Sequence, residues 1–161
     1  MTTLRFMLLL CLTIWIGALI FFPVVAQTSF SVLPSAHLAG LVVRNTLIDL
    51  HWMGLVTGIV FLVCSTIDNR VTVGRWRIFA LSNILVTVML ALTAISQFAV
   101  IPRMDVLRIT AGEISVLPAS NPIRVEFDSL HAWSTRIEMT VLALGLLALY
   151  SVAHRFSKSR L

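Results

Sequence analysis

Four long apolar runs, separated by short polar turns, decide what this chain can fold into. They cover about residues 6–26, 47–67, 78–101 and 137–153. Each has roughly the 20 residues that a helix needs to cross a hydrocarbon core. Lipid offers no water to backbone N–H and C=O groups, so a spanning run must close its hydrogen bonds within itself. The sequence therefore predicts an all-α integral membrane four-helix bundle, one domain over residues 1–161, with the lipid bilayer as its first partner. Composition agrees, because 58% of the residues are hydrophobic and 12% are charged, too few charges to cover a soluble domain of this length.

Twelve Lys and Arg stand against seven Asp and Glu, a balance that can signal nucleic acid or acidic lipid. Placement excludes nucleic acid. Arg5, Arg70, Arg75, Arg77, Arg155, Lys158 and Arg160 all fall at the same ends of the four runs, which is the positive-inside pattern. Both termini and the 68–77 loop are expected in the cytoplasm, an N-in, C-in arrangement, with helices 2 to 4 extending beyond the membrane on the outer side. The outer segments hold Arg44, Arg103, Arg108 and Arg124, with Asp49, Asp105, Glu113, Glu126 and Asp128 mixed among them.

Arg5, the apolar stretch and Val24-Val25-Ala26 also resemble a cleavable signal peptide. The stretch is longer than an ordinary signal core, and it contains Trp15 and Gly17, which suit helix packing. It reads as a retained first span. Cys11 and Cys64 lie within apolar runs and read as buried free thiols.

The first helix meets Pro23 near its outer end, and residues 27–33 read as an external turn. After Pro34 no breaker appears until Asp68 and Asn69, so the second helix is expected over about residues 35–67, roughly 50 Å long. Gly54 and Gly58 on it have the small-xxx-small spacing that permits close helix approach. The third helix is expected to start near Arg75 and Trp76, to kink at Pro102 and to reach about Thr110. Gly112, Pro118 and Ser120 mark an external loop. Asn121 then caps a last helix with Pro122 at its first position, and that helix ends near His154 and Arg155.

Ionisable residues within these runs attract a functional reading, since a charge in lipid costs about 3 kcal/mol or more. Counting inward from the cytoplasmic ends, Asp49 and Arg136 come out level, and His51 and Glu138 come out level about two residues from them. Only one of the pairs can bond directly between the second and fourth helices, because residues two apart on a helix point about 200° apart. One reading is structural, with ion pairs such as Asp49 with Arg136 fixing helix register near an interface. The other is a small polar pocket, in which Asp128, His131, Thr135 and Glu138 share a helix face and meet His51, with Gln97 as a further partner.

Histidine and carboxylates placed so can bind copper or zinc, relay protons or contact a quinone headgroup. His51, His131 and Glu138 are the metal candidates. Haem between His51 and His131 fits poorly, because their depths differ by about 10 Å. The six methionines are not clustered, which lends little to a soft copper path. His37 and His154 fall outside the spans. No nucleophile elbow, serine-histidine-aspartate set or Gly-rich phosphate loop can be picked out, so the chain reads as non-enzymatic.

Several short motifs carry a resemblance. Trp15-Ile16-Gly17, Ala39-Gly40 with Gly54, Ile101-Pro102-Arg103-Met104-Asp105-Val106-Leu107-Arg108, and Phe127-Asp128-Ser129-Leu130-His131 with Ser134 and Glu138 resemble the domain-of-unknown-function family DUF4149. That family is similar to the eukaryotic transmembrane protein 205, and its layout is distantly similar to the copper-resistance D membrane proteins. The resemblance implies a four-span protein of the bacterial inner membrane with no settled activity, and it singles out Arg103, Arg108, His131 and Glu138. Three functions emerge as expectations. The first is an outer-side pocket that binds or passes a small ligand, with a metal ion slightly preferred. The second is an accessory or scaffold subunit docking other membrane proteins or a second copy of itself. The third is a haem or quinone redox module.

Overall fold

The structure, a computed structural model, describes residues 2–73 and 80–158. It contains α1 (Thr2–Val32), α2 (Ala36–Val73), α3 (Leu81–Ile95), a π-helical segment (Ser96–Val100), α4 (Ile101–Ala111), a 3-10 turn (Ile114–Val116) and α5 (Pro122–Lys158). Among the described residues there is no strand. The segments α3, π and α4 form one continuous rod, so four rods are long and apolar enough to cross a membrane. The chain is an all-helical, multi-pass membrane protein. Expectations about Arg75, Trp76, Arg77 and Arg160 lie outside the described residues.

Neighbouring rods close a ring, α1 beside α2, α2 beside α3, α3 beside α5 and α5 beside α1. One end of the bundle carries the termini, and the other carries the 111–121 loop. At the helical rise α2 is about 57 Å long and α5 about 55 Å, against roughly 30 Å for a hydrocarbon core. The core gathers Leu8, Leu12 and Trp15 from α1, Phe61 from α2, Met89 from α3 and Val141 from α5. Trp15 explains two glycines. A Cβ on Gly54 would collide with the Trp15 indole, and one on Gly58 would stand 2.7 Å from both Trp15 and Leu90. The small-xxx-small spacing thus makes room for an indole. Gly17, expected to serve packing as well, has nothing within 4 Å of its Cβ position.

Two boundaries differ from the sequence expectation. Residues 27–33 are not a turn, because α1 runs through Pro23 to Val32, leaving residues 33–35 as the link. A proline within an apolar helix removes one hydrogen bond and bends the helix without ending it. Nor do Asp68 and Asn69 stop α2, which continues to Val73. Their side chains are buried and held by Arg155 of α5, which donates to Asn69 Oδ1 at 2.7 Å and to Asp68 Oδ2 at 3.2 Å. Side chains so occupied do not compete for the backbone. The caps behave as their chemistry demands, with Ile123 N–H donating to Asn121 Oδ1 at 2.9 Å and Leu38 N–H to Ser35 Oγ at 3.2 Å.

Pro102 produces the π segment. It has no N–H, and its ring crowds the carbonyl of the preceding turn. The chain widens there by one residue, so that Ile101 N–H donates to Ser96 O, five positions back. Wide turns of this kind concentrate at functional sites, and this one contains Gln97.

Candidate functional site

One of the two pairs that depth-counting made level, His51 and Glu138, meets in the structure. His51 of α2 is completely buried. Its Nε2 lies 2.7 Å from Glu138 Oε1 of α5, and its Nδ1 lies 2.9 Å from Gln97 Oε1 of the π segment. Both ring nitrogens therefore face oxygens. Each contact holds one proton between its two polar atoms, so the imidazole is fixed on both edges.

Glu138 is the hinge of the site. Its Oε1 is spent on His51, while Oε2 is buried without a hydrogen-bond partner among the described residues. The residue lines a cavity of about 700 Å³ enclosed by α1, α2, α4, α5 and the start of the 111–121 loop. Most of that wall is apolar, with Leu19, Phe22, Leu47, Met104 and Leu142 among its members. Polar groups stand on one stretch of α5, where Asp128, His131, Thr135 and Glu138 all face the cavity, and on the rim, where Arg44, Asp105, Arg108 and Arg124 do. His37, expected to face solvent or headgroups, is exposed and also lines it.

The other expected residues divide. His131 and Asp128 share the cavity wall with Glu138 but do not reach His51. Asp49 and Arg136 do not pair. Asp49 is exposed, and Arg136 lies over the Trp133 ring at 5.4 Å. The reason is angular, since aligning His51 with Glu138 turns residues two positions away to the opposite side of each helix. Arg103 bonds Glu126 at 2.7 Å on the exposed surface. The metal set His51, His131 and Glu138 is not assembled. Among the described residues no three His, Cys, Asp or Glu side chains converge, and both ring nitrogens of His51 are hydrogen-bonded.

Sequence reasoning missed the strongest rim contact. Arg44 of α2 grips Asp105 of α4 with two prongs, Nε to Oδ1 at 2.7 Å and Nη2 to Oδ2 at 2.5 Å. Nothing in the spacing of residues 44 and 105 signals this, because the facing of Asp105 depends on the π turn before it. Arg124 likewise donates to the Leu117 carbonyl, tying the loop to α5.

With the helices and this cavity in view, comparison with known proteins gives one finding. A family model described as a domain of unknown function, DUF4149, matches residues 10–112. The chain belongs to the DUF4149 family. The matched stretch holds Arg44, His51, Gln97, Asp105 and Arg108, whereas Glu138, His131 and Asp128 of this DUF4149 protein lie beyond it. No curated protein and no solved structure matches the chain, so the likeness to transmembrane protein 205 and to the copper-resistance D proteins gains no support from them.

Proposed function

We propose that this DUF4149 protein is a non-catalytic protein of the bacterial inner membrane, its termini cytoplasmic, whose outer-end cavity binds or passes a small amphipathic ligand. One observation carries the reading. Glu138, held on one oxygen by the enclosed His51 and with its second oxygen buried and without a partner among the described residues, lines a largely apolar cavity of about 700 Å³. Leaving such an acceptor unsatisfied costs about 1–3 kcal/mol, a cost that points to a role for the carboxyl beyond packing. The volume and apolar wall suit a small organic molecule. A purely structural ion pair would have no reason to border an open space. Exposed apolar side chains such as Phe21, Val56 and Tyr150 are what a bilayer covers, and they add nothing to a scaffold role.

The test is to purify the protein in mild detergent and to quantify co-purifying small molecules by mass spectrometry. Wild type should retain about one molecule per chain. Ala26→Trp, which fills the cavity from α1, should retain less than about a tenth of that, and Glu138→Ala should retain clearly less than wild type at unchanged yield. Equal retention by wild type and Ala26→Trp would overturn the proposal.

A further inference from the structure

Four arginines stand at the loop end of the bundle, and three are engaged. Arg44 grips Asp105, Arg103 bonds Glu126, and Arg124 donates to Leu117 O with Asp128 3.8 Å away. Arg108 differs from all of them. It lines the cavity and is only 20% exposed. Among the described residues its one ion-pair contact, Asp105 Oδ1, is 4.0 Å away, and that oxygen already accepts from Arg44. The Phe127 ring lies 5.1 Å from its guanidinium carbon, which stabilises the charge but accepts none of its N–H bonds in a fork. Its Nη2 stands beside Gly40, where a Cβ would make ordinary van der Waals contact at 3.6 Å. Of the other acids on this wall, Asp128 stands by Arg124, Glu138 is held by His51 and Glu113 accepts from Ser115 at 3.0 Å. Arg108 is thus the planar donor fork of the rim that makes no side-chain hydrogen bond among the described residues.

We infer that Arg108 holds the phosphate of an anionic phospholipid whose acyl chains enter the cavity. The inference rests on the pocket reading above and names its ligand class. Phosphate fits because its oxygens meet a guanidinium two at a time. A lipid fits because the remaining wall is apolar, with Leu19, Ile20, Phe30, Met104 and Leu142. Arg108 also lies seven residues, about 10 Å, beyond the 78–101 apolar run, on the side where long basic side chains meet headgroups. Arg44 and Asp105 beside it neutralise each other and leave the anion to Arg108.

The experiment uses the full-length protein, delipidated in detergent, with native mass spectrometry as the readout. Three probes are titrated, namely dioleoyl phosphatidylglycerol, dioleoylglycerol with the same chains and no phosphate, and glycerol 3-phosphate with no chains. The expected result is that the phospholipid binds at least tenfold tighter than either of the others. Arg108→Gln should lose that advantage while its affinity for dioleoylglycerol stays the same, and Arg103→Gln, outside the cavity, should keep it. Phospholipid and dioleoylglycerol binding equally would overturn the phosphate inference and leave the pocket standing. If none of the three binds, the pocket reading falls with it. Glycerol 3-phosphate binding as tightly as the phospholipid would overturn the lipid assignment. Should Arg108→Gln fail to fold, the comparison of the three probes on wild type decides alone.

Discussion

His51 has no exposed surface and two polar edges, so its neighbours set its energetic value. Gln97→Leu removes the acceptor from Nδ1 and leaves a buried N–H unpaired, which should lower stability by about 1–3 kcal/mol. Equilibrium unfolding in mixed detergent micelles measures it, and a variant as stable as wild type would show that the Gln97 contact has no weight. The double variant His51→Leu with Gln97→Leu should lose less than the sum of the single changes, because it removes donor and acceptor together. That His51 and Glu138 stand level was legible from depth alone, since straight helices share one rise per residue. Which way each faces was not. Asp49 with Arg136 was equally level, and only the packing of the helices chose between the pairs. Arg44 with Asp105 left no trace in the sequence, because one partner stands beyond a wide turn whose phase no periodicity reveals.

At the scale of single helices, α1 is bound to α2 through an indole seated over two glycines. Gly54→Ala should therefore destabilise the bundle by about 1–3 kcal/mol, whereas Gly17→Ala, in open space, should be neutral or stabilising by up to about 1 kcal/mol. Thermal unfolding of the two variants checks the contrast. Trp15→Ala introduced beside Gly54→Ala should recover part of the loss, and additive effects would mean that the glycine is not making room for the ring. The glycine spacing was readable as a packing signal, but its partner was not, since spacing reports a gap and never its occupant. The same limit applies to the breakers. Pro23, Asp68 and Asn69 carry a real local preference against helix, and apolar surroundings in one case and Arg155 in the other override it.

Across the whole molecule both ends hold cations against acids and rings. Arg103 and Arg124 are tied to acids at the loop end, where Arg108 lies over Phe127, and Arg155 pairs with Asp68 while Arg5 lies over Phe156 near the termini, the end that the positive-inside pattern assigns to the cytoplasm. Ser120→Cys, exposed in the 111–121 loop, should react with a membrane-impermeant maleimide on intact cells whose outer barrier is opened, in a background with Cys64 replaced. Labelling that appears only after the inner membrane is lysed would reverse the orientation. The number of spans was legible from hydropathy, because the requirement that lipid imposes on the backbone leaves helices as the solution. The cavity was not, since it arises from how four rods diverge. The wide turn before Pro102 finally acts as a phase shifter within one of those rods. One extra residue in a turn rotates the downstream helix by about 100°, so the inner half is aimed by the core, while Met104, Asp105 and Arg108 are aimed at the cavity as a unit. A sequence change that tightened this turn would swing the arginine rim away from its pocket without touching a single residue of it.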